Sequence, residues 1–182
     1  MNEKDFQFEL IDKLTPYEVV KKVLPQISEA THGRVFGEIE NYNGAIKSYT
    51  KETGLGAALG AFQKAQTIEV DVQDSLGELC DEKYRYEVFL GVKELEHYKY
   101  RIMFLDYGAI SYPAKVVLNK DLVLEISDRY KDTFVVESMR ELEDMLDKII
   151  NSEVLTRVVQ NLIYESLRRE EEKLCLNGGD IH

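Results

Sequence analysis

The segment YRYEVFLGV, residues 84–92, decides the fold because its side chains alternate in character with a period of two. Successive side chains of a β-strand point to opposite faces, so this period predicts a strand with one face in the core. The alternation continues over residues 98–105, and apolar runs at 112–118, 122–126 and 134–136 predict further strands. Short connections between these runs favour a mainly antiparallel meander of about five or six strands.

Helical signals flank the meander on both sides. The stretch TPYE at residues 15–18 combines a capping box with proline at the first helical position. Ser138 and Glu141 form a second capping box, and a broad apolar face follows over residues 154–167. The predicted fold class is therefore α+β, with N-terminal helices, a central meander, and C-terminal helices packed on the sheet. Residues 106–108 (DYG) are expected to form a turn.

Length and composition indicate one folded domain over residues 1–182. A subdivision near residue 66 is the alternative, with a helical part before it and the sheet and C-terminal helices after it. The chain has 44% hydrophobic residues, too many for a disordered protein, and no apolar run long enough to cross a membrane. The charged N-terminus and two cysteines without framework spacing predict a protein of the reducing bacterial cytoplasm.

The charge is concentrated in one part of the chain. Thirty-four acids against 23 bases give a net charge of −11. Residues 69–82, called the acidic run here, carry −6 of this charge without any Lys or Arg, whereas residues 83–101 carry +2. Two explanations stay open, cross-strand ion pairing between these stretches and a dedicated binding surface. The acidic run consists of Glu69, Asp71, Asp74, Glu78, Asp81 and Glu82.

A binding surface of this kind would suit a basic partner. Glu69 and Asp71 are two residues apart on a predicted strand, which places them about 6.6 Å apart on one face. A row of carboxylates can imitate a phosphate backbone and occupy the Lys/Arg groove of a nucleic-acid-binding protein. The net negative charge also predicts no direct binding to free DNA and no binding to membranes, because both are anionic.

Catalytic signatures are sparse. We assign no catalytic residue, because there is no nucleophile-elbow motif and neither cysteine has a local catalytic signature. Glu94, Glu96 and His97 lie in one short stretch that could hold Mg²⁺ for phosphodiester cleavage. The same stretch is also typical of a solvated hairpin turn. We therefore expect no cofactor, with Mg²⁺ as the exception if the protein is a nuclease.

The chain resembles type II anti-CRISPR proteins, inhibitors of the RNA-guided nuclease Cas9 from phages or mobile elements of streptococcus-like bacteria. The resemblance covers the whole chain and lies in its length, the acidic run, the Tyr- and Phe-rich stretch from Tyr84 to Tyr112, and the lack of an enzyme signature. It implies binding to Cas9 or to its guide-RNA complex, and it transfers no individual residue.

Two other functions stay open beside this one. One is a metal-dependent nuclease that truncates RNA, for example the guide RNA in the Cas9 complex. The other is a non-enzymatic interaction module of a mobile element, which could form a homodimer through its long C-terminal helix.

Overall fold

The meander is a five-stranded antiparallel sheet whose strand order follows the chain. The computed structural model describes residues 11–44, 82–95, 97–127 and 131–177. Its strands are β1 (Val35–Asn41), β2 (Lys83–Val92), β3 (Tyr100–Gly108), β4 (Ala114–Leu118) and β5 (Thr133–Val136). Its helices are α1 (Pro16–Val23), α2 (Pro25–Ala30), α3 (Lys120–Ile126), α4 (Met139–Ile150) and α5 (Glu153–Asn177). The predicted α+β class is confirmed.

One face of the sheet, called the core face here, carries the hydrophobic core. Val88 and Leu90 of β2 are buried there, and they pair with Ile39 and Gly37 of β1. The helices supply the other half of the core, because the apolar residues of α1, α4 and α5 recur at helical spacing and so share one side of each helix. The main helical members are Val19, Val20, Leu142, Leu146, Ile149, Leu155 and Leu162.

The N-terminal helices form as their sequence predicts. The Thr15 hydroxyl accepts a hydrogen bond from the Glu18 backbone N–H, and the Glu18 carboxylate accepts one from the Thr15 N–H. The first helix ends before Pro25, which begins α2. Leu24, which joins α1 to α2, brings the start of the second helix close to β1, since a Cβ at Gly37 would stand 2.8 Å from Leu24 Cδ2. Glycine at this position therefore allows the helix to approach the strand.

The prediction of a strand over residues 122–126 is wrong, because this segment is helix α3. Its start is set by Asn119, whose side chain accepts a hydrogen bond from the Asp121 backbone N–H at 3.0 Å. Leu122 and Val123 are buried whereas Leu124 is 57% exposed. This distribution follows a helical repeat, which a five-residue apolar run does not reveal by itself.

The prediction of a turn at residues 106–108 is also wrong, because β3 continues to Gly108. Asp106 pairs with Arg85 of β2, and the chain turns only afterwards, where Ser111 has a φ of 70°. The alternation also changes phase within β3. Val88 pairs with Met103 and Phe89 with Arg101, so Ile102 is an extra residue in a β-bulge.

Helix α5 begins where Asn151 and Ser152 interrupt the helical region, as the sequence indicates. The Ser152 hydroxyl accepts a hydrogen bond from the Leu155 backbone N–H at 3.1 Å. The Glu125 carboxylate of α3 accepts hydrogen bonds from the backbone N–H groups of Glu153 and Val154, at 2.6 and 2.9 Å. A side chain from another helix thus satisfies the amides at the start of α5, where a negative charge is also favoured by the helix dipole.

Some predictions concern segments outside the described residues. The glycine- and alanine-rich sequence of residues 56–65 predicts a helix, and the alternation of apolar and acidic residues over 68–72 predicts a strand. Both ranges lie in the segment 45–81, outside the described residues. The choice between one domain and a division near residue 66 therefore stays a prediction. Among the helices that are described, none has the length and apolar character needed to cross a membrane.

Replacing Glu125 with alanine tests its role at the start of α5. We expect Glu125→Ala to lower the free energy of unfolding by about 1–2 kcal/mol, because two backbone N–H groups lose their acceptor. Chemical denaturation followed by circular dichroism measures the change. The control Glu171→Ala removes an exposed carboxylate from the same helix and should change stability by less than about 0.5 kcal/mol. Equal losses in the two variants would contradict this role.

Candidate functional site

The sheet face opposite the core face carries charged side chains from its first three strands. This charged face consists of Glu40, Arg85, Glu87, Arg101 and Asp106, with Lys99 just before β3. Glu40 of β1 lies directly opposite Glu87 of β2. Two like charges in this position repel each other unless a cation lies between them.

Lys99 supplies that cation. Its ammonium group forms ion pairs with both Glu40 and Glu87. The hydrogen bond to Glu40 is the main cause that raises the pKa of the Lys99 ammonium above its ordinary value. Arg101 holds Glu87 from the next strand, with its Nη2 2.6 Å from the Glu87 carboxylate. The Glu87 side chain is only 9% exposed, so these two cations stabilise a carboxylate largely shielded from water.

Aromatic rings pack beneath the same cations. The rings of Tyr42 and Phe104 lie with their centroids 4.6 Å apart. The Arg101 guanidinium lies 5.6 Å from the Tyr42 ring centroid and 5.2 Å from that of Phe104. The Lys99 ammonium lies 4.0 Å from the ring centroid of Phe89. The charged face is therefore a set of ion pairs resting on aromatic rings, whose faces attract cations.

The ion pairs of the charged face involve no member of the acidic run. Three bases within residues 83–101 pair with acids outside the run: Arg85 with Asp106, Lys99 with Glu40, and Arg101 with Glu87. Glu82 is the described member of the run; it is exposed and accepts a hydrogen bond from the Tyr84 hydroxyl. The other members, Glu69, Asp71, Asp74, Glu78 and Asp81, lie outside the described residues.

Two of the three metal candidates, Glu94 and His97, lie in the described part of the chain. Glu94 lies between β2 and β3 and accepts a hydrogen bond from the Ser166 hydroxyl of α5 at 2.8 Å. Burial opposes ionisation of Glu94, but the Ser166 hydrogen bond and the Lys173 and Arg34 charges together hold its pKa below the ordinary value. His97 is exposed, and Glu96 lies outside the described residues. Among the residues that are described, no three His, Cys, Asp or Glu side chains gather in a way that suits a metal ion.

A polar cleft lies where β1 ends and β2 begins. Its volume is about 390 Å³. The Arg85 guanidinium is fixed at this cleft by two hydrogen bonds to Asp106, at 2.8 and 3.0 Å, and by one to the Gly44 carbonyl oxygen at 3.3 Å. The cleft is lined by Asn41, Tyr42, Asn43, Lys83, Tyr84 and Arg85.

The sequence by itself predicts neither the charged face nor the cleft. Glu40 and Tyr42 lie far from residues 83–101 in the chain, and only the pairing of β1 with β2 brings them together. The sequence carries one local signal for the charged face. Arg85 precedes Glu87 by two residues, so these opposite charges lie on the same face of the strand.

Neither known family models, nor curated proteins, nor solved structures match this chain.

Replacing Arg101 tests the ion pairs of the charged face. We expect Arg101→Ala to lower the free energy of unfolding by about 1–3 kcal/mol, since the shielded Glu87 carboxylate loses one of the two cations that pair with it among the described residues. Thermal and chemical denaturation measure this change. The control is Arg168→Ala, which removes a 62% exposed arginine paired with Glu165 on α5. That control should cost no more than about 0.5 kcal/mol, and an equally small loss in Arg101→Ala would contradict the proposed importance of Glu87.

Proposed function

We propose that the protein inhibits a bacterial nucleic-acid-handling defence effector, and that its target is Cas9 or the complex of Cas9 with its guide RNA. The acidic run is the proposed contact surface, with Glu69, Asp71, Asp74, Glu78, Asp81 and Glu82 facing a Lys/Arg groove of the target. The protein would act in the cytoplasm of the bacterial host, where the effector acts.

One observation carries this proposal. The bases that follow the acidic run in sequence have acidic partners of their own, because Arg85, Lys99 and Arg101 pair with Asp106, Glu40 and Glu87. Cross-strand neutralisation by these three bases therefore does not account for the −6 charge of residues 69–82. The proposal is that this charge attracts a cationic partner, because charge complementarity speeds association, an effect that weakens as the salt concentration rises.

A cleavage assay tests the proposal. The purified protein is added in several-fold molar excess to Cas9, guide RNA and a target DNA. We expect cleavage to stop, since an acidic surface that occupies the DNA-binding groove excludes the target. Unchanged cleavage of the target DNA would contradict the proposed inhibition of Cas9.

Charge reversal tests the mechanism within that function. We expect the double variant Glu69→Lys/Asp71→Lys to bind the Cas9–guide complex on the order of tenfold more weakly than the unmodified chain, because two attractive charges become repulsive. The matched control Glu143→Lys/Asp144→Lys makes the same change in net charge on two exposed residues of α4. If both double variants bind alike, the acidic run is not the contact surface even where inhibition is real.

The second candidate is an RNA-truncating nuclease that uses Mg²⁺. Its support is that Glu94, held as a carboxylate, and His97 lie in the same connection between β2 and β3. A denaturing gel of the guide RNA separates the two functions. We expect the RNA to stay intact with and without Mg²⁺ under the inhibitor proposal, whereas a shortened product that EDTA abolishes would establish the nuclease instead.

The third candidate is a non-enzymatic interaction module that forms a homodimer through α5. Tyr164 and Leu174 of this helix are 71% and 72% exposed, which leaves apolar surface on its outer side. Leu155 and Leu162 of the same helix are buried in the core. Size-exclusion chromatography with light scattering at two protein concentrations determines whether the outer residues mediate self-association.

A further inference from the structure

We infer that the outer edge of β1 binds an extended segment of a partner protein, and that this segment carries Lys or Arg at alternate positions. The inference rests on the described residues of β1 and does not depend on the proposed inhibition of Cas9. Its basis is a row of outward-pointing backbone groups at the edge of the sheet, beside two carboxylates on one side of the strand.

Strand β1 stands at one edge of the sheet, next to β2. The Tyr42 N–H donates to the Arg85 carbonyl oxygen at 2.9 Å, which fixes the phase of the hydrogen bonds between the two strands. Alternate residues of an antiparallel strand bond to the same neighbour, so Glu38 and Glu40 direct their backbone groups at β2. The intervening residues direct theirs away from β2 and form the open edge, which consists of Gly37, Ile39 and Asn41.

The start of the strand shows the same phase. The Val35 N–H donates to the Thr31 hydroxyl at 3.1 Å, and this hydroxyl lies 3.1 Å from the Val35 carbonyl oxygen. A side chain thus occupies the outward groups of Val35, where a neighbouring strand would otherwise bond. Within the described residues, the outward groups of Gly37 and Ile39 form no contact of this kind. The backbone of β1 is therefore ready to pair with an added strand beyond Val35.

The opposite edge of the sheet is less suited to a partner. Strand β5 has four residues, whereas β1 has seven. The Leu118 N–H donates to the Asp132 carbonyl oxygen at 2.8 Å, so the outward groups within β5 belong to Thr133 and Val135. A very short edge strand is one of the means by which proteins limit pairing with other chains. The longer edge of β1 thus offers the better template.

The side chains of β1 specify the chemistry of the added strand. Glu38 is exposed and forms no ion pair in the described part of the chain. Glu40 lies on the same side of the strand and shares Lys99 with Glu87. A Lys or Arg directly opposite either carboxylate would lie within reach of it. The residue between two such bases would lie beside Ile39, which is half-buried against the core, so an apolar side chain fits there.

The same carboxylates disfavour a second copy of this chain as the partner. When two copies of β1 pair in antiparallel fashion about Ile39, the whole open edge is used. Glu38 of one copy then lies opposite Glu40 of the other, and like charges in directly opposite positions are destabilising. A basic segment of a different protein avoids this repulsion and gains two cross-strand ion pairs.

Amide hydrogen exchange of the full chain, followed by nuclear magnetic resonance, tests the inference. The probe is the peptide acetyl-TKVKVKT-amide, whose valines bond to β1 while its lysines face Glu38 and Glu40. Without peptide, we expect the Gly37 and Ile39 amides to exchange faster than the Glu38 and Glu40 amides. With peptide at about ten times its Kd, exchange of the first two should slow about tenfold. No slowing up to about 1 mM peptide would overturn the inference.

Two control peptides separate backbone pairing from charge attraction. The peptide acetyl-TEVEVET-amide keeps the pattern of the probe but reverses its charges. Methylation of both valine nitrogens in the basic peptide keeps the charges but removes the N–H groups that would donate to β1. We expect neither control to slow exchange at the open edge. Equal slowing with the acidic peptide would overturn the basic partner, and equal slowing with the methylated peptide would overturn strand addition.

A charge variant of the protein completes the test. Glu38→Lys should weaken binding of the basic peptide by about fivefold, because an attractive pair becomes repulsive. Glu143→Lys makes the same change on an exposed residue of α4 and should leave the affinity unchanged. Equal weakening in both variants would overturn recognition by Glu38.

Exchange in the protein alone decides whether the edge is open. Slow exchange of the Gly37 and Ile39 amides without peptide would overturn the inference, because the edge would already be covered. A dependence of that protection on protein concentration would identify a second copy as the occupant, whereas protection at every concentration would identify another segment of the same chain.

Discussion

The antiparallel register between β2 and β3 is the constraint on which the rest of the structure depends. Val88 lies opposite Met103, and Glu87 lies opposite Phe104. A slip of one residue would exchange the two faces of β2 and bring Glu87 into the core. The bulge at Ile102 lets Ile102 and Met103 both be buried while Arg101 still reaches Glu87. The core and the charged face are thus fixed by the same pairing.

Much of this fold could be predicted because its elements follow simple repeats. The period of two in β2 and the capping residues Thr15 and Ser138 are local signals, and the structure confirms the elements they indicate. The errors have equally local causes. The run at residues 122–126 is too short to distinguish a strand from a helix, and Asn119 provides the helix cap that decides between them.

The candidate sites could not be predicted in the same way, because they depend on contacts between distant parts of the chain. Glu40 and Lys99 form an ion pair across 59 positions of sequence. Nothing near either residue indicates the other, and charged residues on a strand are equally compatible with a solvated surface. The same limit applies to Asn41 and Lys83, which line one cleft only because β1 and β2 are neighbours.

Helix α5 makes two polar contacts at the end of the sheet where β1 begins and β2 ends. Arg34, just before β1, pairs with Glu170 at 3.0 Å, and Glu94, just after β2, accepts from Ser166. The helix therefore contacts the chain next to the edge strand β1 and next to its neighbour β2 at the same end of the sheet. Tension applied at the C-terminus would load these two polar contacts before it reached the buried Leu162 and Leu155, so the helix should detach from its far end inward, one contact at a time.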